Sequence, residues 1–590
     1  MDRLINSNMA DKPRKFFDPN VSEEEKAELI REQERLESAE IEGRWAAVRE
    51  KLGNEEIYLA FREYFKKMFN AGVLDWVGSL YDPETGLFYS SRSGKLAEKL
   101  SGGRGYYPHP EATSVALSCL GRTGAAREYG GNRTRILPEL AVYKIVYYLK
   151  TIQDPSGRFF VPQIDKSVIA PERVGRDHYA ARNLFTMLDA TPTYDFEDFK
   201  GDGIDGEAYW NGLVCEGKVR EEDKPTIYWT AENLAARNGG CCDSCSATEN
   251  KSEEKAAPKQ ASSTSSITES HDAFLAHLMT KDPYNNPYGA ISNINSIAGI
   301  VNAASAKLGA YSKSGDPDGV AKIVPVKVGE GYRDLVINNK DTLNDINVKW
   351  MNLYINEAGL FGKISDKRDD EGNVIYDGFH GGWGFNNSNG FMKGISRYFS
   401  AGLAYPEPRR AAESLLKGIN NPESAAANGN VLVVYNVWNS LGQLKSNIAT
   451  YYTGDDKEEL LDYIESSLEN KVDMVTGEKI SVPYAALAIE RAFEQVQPFR
   501  KVDGGYGHSP ISGTPCWQGG IPVGVSEENL SDTDATFCTM TSLSTSICSV
   551  FGINMSAEVP MYSEADLYRF LNSMSKQPRV IKKMPFEMEQ

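Results

Sequence analysis

The stretch Gln153-Asp-Pro-Ser-Gly-Arg-Phe-Phe160 decides how the chain reads, because it recurs. Its residue types encode a tight turn. Asp can bond amides further along the turn, Pro presets one backbone angle, and Gly supplies the left-handed conformation. The aromatic pair that follows has to be buried. An upstream copy is Asp82-Pro-Glu-Thr-Gly-Leu-Phe-Tyr89. Two looser copies lack the Pro: Asp377-Gly-Phe-His-Gly-Gly-Trp-Gly-Phe385 and Asp503-Gly-Gly-Tyr-Gly-His508. Each copy is followed by a segment rich in small residues, opening near His109, Gly175, Asn389 and Asp532. The spacing leaves room for a helical hairpin between turns, and such repeats indicate a stacked or closed helical array.

The segments between the turns read as helices of two kinds. Leu137-Pro-Glu-Leu carries Pro just inside a helix start, and Val142, Ile145, Val146 and Leu149 form one apolar stripe. Ile489, Ala492, Phe493 and Val496 repeat that pattern after Pro483. Ala535 to Cys548 is small, hydroxylated or apolar all round, which predicts a helix enclosed on every side. Strand periodicity is weak. The expected class is therefore all-α, with amphipathic outer helices around enclosed inner ones.

The chain has 590 residues, a net charge of -18, 41% hydrophobic and 25% charged residues. This is a globular composition, and its acidity disfavours nucleic acid and anionic lipid as partners. No run reaches the roughly 18 apolar residues of a spanning helix, and the start lacks a basic-then-apolar leader. A cytoplasmic protein with no membrane partner is expected. Residues 1–50 form a charged helical arm, and 51–237 and 271–560 carry the helical array. Residues 238–270 form a low-complexity, disordered insertion, and 561–590 a tail. The insertion holds Cys241, Cys242 and Cys245, three thiols without a nearby fourth ligand.

The Gln153 turn and Asp503-Gly-Gly-Tyr-Gly-His resemble the turns of terpenoid cyclases and protein prenyltransferase β subunits. So does an acid followed by Thr on the next inner helix, Glu111 with Thr113 and Asp534 with Thr536. The resemblance implies an α/α toroid, an architecture that also hosts polysaccharide lyases and glycosidases. It bears on the fold more than on the activity. Asp532-Thr-Asp534 is similar to the acidic motif of class II terpenoid cyclases, with Ala535 where that motif has a further Asp.

In such a toroid the inner-helix starts face one mouth. His109, His178, His380 and His508 lie at these starts, where imidazoles suit proton transfer near neutral pH. Glu111, Asp177, Asp532 and Asp534 share the same junctions, and such acids also serve as helix caps. Aromatic and amide side chains crowd the same loops, a mixture that suits the faces and hydroxyls of a sugar. The reading is an enzyme cleaving glycosidic bonds of oligosaccharides. Two carboxylates of Glu111, Asp177 and Asp534 would act as acid and base or nucleophile. Arg104, Tyr107, Arg176, Trp383, Asn387, Trp517 and Gln518 would bind substrate. A lyase would instead use His178, His380 or His508 as base and Tyr506 as acid. A terpenoid-cyclase or prenyltransferase-like enzyme and a non-catalytic binding toroid are further alternatives. Zinc on Cys516, His508 and Asp532 or Asp534 fits the residue types but not the family spacing, so neither metal nor cofactor is expected.

Overall fold

The computed structural model describes residues 12–97, 106–164, 171–229, 267–363, 383–420, 430–517 and 520–580, without the side chains of residues 71, 171, 172 and 383–386. Most of the expected 238–270 insertion, including its three cysteines, lies outside the described residues.

The chain is mostly helical. In order it forms α1 (Glu23–Leu52), α2 (Glu55–Met68), α3 (Ala71–Ser79), α4 (Pro110–Arg122), α5 (Glu139–Ile152), α6 (Pro171–Leu188) and α7 (Gly206–Cys215). Next come α8 (His271–Met279), α9 (Pro287–Ser296), α10 (Ala298–Leu308), the strands β1 (Val320–Val328) and β2 (Gly331–Asn338), and α11 (Leu343–Asn352). Then follow α12 (Trp383–Ala401), α13 (Pro408–Gly418), α14 (Leu432–Tyr451), α15 (Gly454–Glu469) and α16 (Tyr484–Val496). The last are α17 (Thr533–Phe537), a π turn (Cys538–Ser542), α18 (Leu543–Val550) and α19 (Glu564–Ser575).

The strands add one β hairpin to the expected helical array. β1 and β2 pair antiparallel around Gly329, whose φ of 64° suits a tight hairpin turn. Val326, Leu335 and Ile337 are buried, and β2 packs on α11. The 561–590 segment, read as a tail, contains α19, which packs on α3 and α1. The charged arm is helical: α1 opens with a capping box at Ser22 and ends at Gly53 in the left-handed conformation.

The recurring turn is where sequence most directly dictates shape. Tyr81 bridges Phe88, Gln153 bridges Phe159, Ile355 bridges Phe361 and Arg500 bridges Tyr506. Within three of them an Asx side chain folds the turn. Asp82 accepts from the Glu84 and Thr85 amides, Asp154 from Ser156, and Asn356 from Ala358 and Leu360. Gly86, Gly157 and Gly359 follow at φ of 77°, 79° and 71°. The turn that leads into α12 is thus at Ile355–Phe361. Of the copy expected at 377–385, residues up to 382 lie outside the described ones and the remainder opens α12.

These glycines also let one hairpin dock on the next. A Cβ at Gly86 would lie 2.9 Å from the Ala141 carbonyl oxygen of α5, and one at Gly359 would lie 2.5 Å from the Ala411 nitrogen of α13. The turns join α3 to α4, α5 to α6, α11 to α12, and α16 to α17; the second helix of each pair, with α9, α14 and α18, is called inner below. The inner helices pack in succession, α4 on α6, α6 on α9, α9 on α12, α12 on α14 and α14 on α18, and α17 returns to α4. One hydrophobic cluster runs from Phe16 to Met574, so both expected parts of the array share a core. The stripe expected on α5 is buried, but so is nearly every residue from Ala141 onward, because α7 covers its outer side with Trp210 against Tyr147.

Two glycine substitutions should separate these effects. Gly359→Ala places a side chain in left-handed backbone against Ala411 and should cost about 1–3 kcal/mol. Gly212→Ala, in an exposed helical position of α7 with nothing within 4 Å, should stabilise by up to about 1 kcal/mol. Urea unfolding midpoints of the two variants check both signs.

Candidate functional site

Two inner helices begin in the same way. His109 is the N-cap of α4 and Asp532 the N-cap of α17, both in extended backbone. At the fourth helical position stand Thr113 and Thr536. The Thr113 hydroxyl receives the Phe88 amide at 3.0 Å, and the Thr536 hydroxyl receives the Tyr506 amide at 2.9 Å. Each Thr ties the preceding turn to its helix and so sets the rotation of that helix. The acid at the second helical position, Glu111 or Asp534, is thereby turned to a common side. The free amides of a helix start favour a carboxylate there.

Between these acids stand two guanidinium groups from α6. Arg173 reaches Glu111 and Asp177, each at 2.6 Å. Arg176 pairs with Glu111 and lies 3.6 Å from Asp534. On the far side of Asp534, the His508 Nε2 lies 3.3 Å from its Oδ2 and 3.7 Å from Asp532 Oδ1. Asp532 in turn accepts from Thr514 at 2.6 Å, Trp517 Nε1 at 3.2 Å and the Ala535 amide at 2.9 Å. The charges alternate in sign along this line.

Burial sorts the roles. Arg173 and Asp177 have no exposed side-chain surface, and Glu111 keeps 8%. Arg176 keeps 28%, and Asp534 and His508 keep 21% each. The last three are therefore the reachable part of the cluster. Burial alone would lift Asp534, but the bond from His508 and the charge of Arg176 hold it down to about 2. Burial would lower His508, but Asp532 and the bond to Asp534 raise it to about 9, so at neutral pH it is an imidazolium. Glu111 is lowered by Arg173 and Arg176 against the upward push of burial. For Asp177 burial prevails over Arg173 and the shift is upward.

Further side chains sense the same centre. Lys393 of α12 interacts with Cys538, Arg176 and Asp534, and Tyr435 of α14 with Cys538, Arg122 and Asp534. Tyr435, Asn439 and Gln443 form a hydrogen-bonded row along one face of α14. Cys538 stands on the π turn, a widened geometry frequent at functional sites.

The expected residues divide accordingly. Glu111, Asp177, Arg176, His508, Asp534 and Trp517 are brought together. His178 is not: it pairs with Glu197 at 3.3 Å and packs edge-on against Phe196. Tyr506 points its hydroxyl to Met68 Sδ at 3.3 Å in the core. Tyr107 stacks on Tyr228, and Asn387 ties the Phe361 and Lys363 carbonyls to α12. His109 is buried, its Nε2 2.8 Å from the Ser90 hydroxyl and its ring edge-on to Trp517. Arg104, His380 and Gln518 lie outside the described residues, as does the side chain of Trp383. Among the described residues no three of His, Cys, Asp and Glu converge as metal ligands would, and Cys516 is exposed. Sequence reasoning missed Arg173 and Lys393. Arg173 stands one helical turn before Asp177 in a charged stretch, and Lys393 is one of only two cations in a helix of otherwise small, aromatic, apolar and amide residues. No protein-family model, curated protein or solved structure matches the chain.

Two predictions follow from the buried charges. Glu111→Ala leaves Arg173 and Arg176 short of a counter-charge and should destabilise the fold by about 3–5 kcal/mol in urea titrations. Burial holds His109 down to about 3 against a usual 6.5, so the unfolded chain binds the extra proton. Stability should rise with pH between those values, and His109→Gln should flatten the dependence.

Proposed function

We propose that the chain is an α/α toroid whose central cavity cleaves glycosidic bonds, with Asp534, His508 and Arg176 as its working residues. The order of inner-helix contacts, which returns to its start, supports the toroid. The observation that carries the activity is the pairing of a partly exposed carboxylate with an imidazolium at the accessible end of an otherwise buried ion chain. His508 has the proton a leaving oxygen needs. Asp534, ionised and close by, stabilises or captures the oxocarbenium centre that forms when the bond breaks. Arg176 holds Asp534 charged and in place.

Their 3.3 Å separation is longer than the roughly 2.7–2.9 Å of a tight ionic hydrogen bond. A glycosidic oxygen entering between them would part them, taking the His508 proton on one side while the sugar carbon faces Asp534 on the other. Glu111 and Asp177, committed to Arg173, serve as positioning residues in this reading. The neighbouring wall of Tyr435, Asn439 and Gln443 offers an aromatic face and amides of the kind sugars bind. The lyase alternative loses its acid, since the Tyr506 hydroxyl faces Met68.

A second reading, acid-initiated terpenoid cyclisation, is favoured by one observation. A carboxyl held down to about 2 is a strong acid in the moments it carries a proton, and Tyr435 stands near it.

The test is incubation with neutral, uronic and phosphorylated oligosaccharides, following new reducing ends and the ultraviolet absorbance of unsaturated products. The expected result is reducing ends without absorbance. Asp534→Asn should lower kcat by about 10²–10⁴ with the fold intact. The rate should fall as pH rises through about 9, where His508 loses its proton, and also as pH falls toward about 2, where Asp534 gains one. In His508→Gln the alkaline limb should vanish along with most of the activity. Full activity in Asp534→Asn overturns the assignment, and turnover of an isoprenoid in place of any sugar selects the second reading.

A further inference from the structure

The faces of α12 are accounted for on three sides. Outward, Ile395 and Tyr398 are buried, with the Tyr398 hydroxyl bonded to Asn352 of α11. Toward α14, the Ser388 carbonyl accepts from Ser440, and Phe399 packs on Tyr451. Toward α9, a Cβ at Gly390 would lie 2.8 Å from Pro287, and Ser396 bonds Asn295. The remaining face carries Asn389, Lys393 and Arg397, each four residues from the last and so stacked on one side of the helix. With the other three faces committed to α11, α14 and α9, this face is left to the side on which the charges of Asp534 and Arg176 act on Lys393.

Among the described residues no carboxylate pairs with this face. Asn389 is fully buried with neither amide atom hydrogen-bonded. Arg397 is 6% exposed, and its Nε and Nη1 have no partner. Among the described residues no carboxylate pairs with Arg397, and burial alone acts on its pKa, lowering it to about 10. Asp534, whose charge acts on Lys393, is already engaged by His508 and Arg176. A buried guanidinium without an anion is costly, and proteins ordinarily pair it. Arg173, on α6, has two carboxylates for the same degree of burial.

We propose that Asn389, Lys393 and Arg397 form a subsite for an oxyanion carried by a small-molecule ligand, a phosphoryl or carboxylate group. The planar fork of Arg397 would take two oxygens, the Lys393 ammonium a third contact, and the Asn389 amide a neighbouring hydroxyl or oxygen. The subsite stands whether or not the ligand is a glycoside, since it rests on charge and burial alone. Combined with the proposed cleavage it narrows the substrate to a phosphorylated or uronic sugar, and it supplies locally the positive charge that the net -18 of the chain denies globally.

The test is thermal unfolding of the full chain with inorganic phosphate, with D-glucuronate and with glucose, at ionic strength matched by chloride. The wild-type midpoint should rise and saturate with phosphate, with glucuronate or with both, and glucose should do nothing. Which anion acts identifies the group. Arg397→Gln should weaken the responding anion by about tenfold or more, yet unfold no earlier than wild type in anion-free buffer, because it removes an unpaired buried charge. Lys393→Gln should weaken the response independently of how Arg397→Gln folds. A wild-type midpoint indifferent to both anions, or an unchanged response in both variants, overturns the proposal.

Discussion

A guanidinium taken out of water must be answered within the protein, and Arg173 is answered twice. From it the line of charge runs outward through Glu111, Arg176 and Asp534 to His508 and Asp532, and inward to Asp177. Seven ionisable groups on three inner helices and one loop thus sit in alternating sign. Each group inside the line has opposite charge on either side, which offsets its desolvation, and the two end groups, Asp177 and Asp532, have one such neighbour each. The line also constrains geometry. α4, α6 and α17 can rotate or slide little without parting a buried pair, so the starts of these helices are held in mutual register.

That register depends on shorter-range chemistry laid down by the turns. A left-handed glycine lets each turn press against the next hairpin, and a threonine hydroxyl fastens two of the turns to their inner helices. These are residue-specific demands of the backbone, which is why they were legible in one sequence. Asp-Pro-x-x-Gly and Asp-Pro-x-Gly announce a fold of the chain wherever they occur. The same reasoning explains the turn that escaped notice. Asn356-Glu-Ala-Gly359-Leu-Phe361 lacks both Asp and Pro, yet Asn356 folds it through the same side-chain oxygen and Gly359 takes the same left-handed angle. The hairpin at Gly329 was hidden likewise, because its strands alternate only partly and one face stays in solvent.

The site was legible in kind and not in detail. The junction pattern collected Glu111, Arg176, Asp177, His508 and Asp534, which the fold brings together: Glu111 and Asp534 open their helices, Arg176 and Asp177 follow in the second turn of theirs, and His508 reaches them from a loop. It also collected Tyr506, His178 and Asn387, which stand at equivalent positions in the chain and turn to the core, to Glu197 and to loop carbonyls. Sequence position places a residue at a junction, whereas a rotation of one residue about the helix, 100°, decides whether it faces the centre. Arg173 escaped for the opposite reason. A charge in a helix is read as solvent-facing, and only its two carboxylate partners make burial tolerable.

Arg173 and Arg397 meet the same demand in different ways. Both are arginines on inner helices, both are buried, and burial works against the charge of both. One lies in a chain of alternating charge that holds helices together. The other faces the same centre, one helical turn beyond a lysine, with polar atoms unspent. Stability alone does not maintain such an arrangement, since an apolar side chain of similar size would pack there at lower cost. Where a fold keeps positive charge buried and unanswered beside a paired carboxylate and imidazolium, the missing negative charge belongs to what the centre binds. The ion chain and the cationic face of α12 are then two halves of one centre, the first supplying its own balance and the second, as proposed, balanced by a ligand's oxyanion.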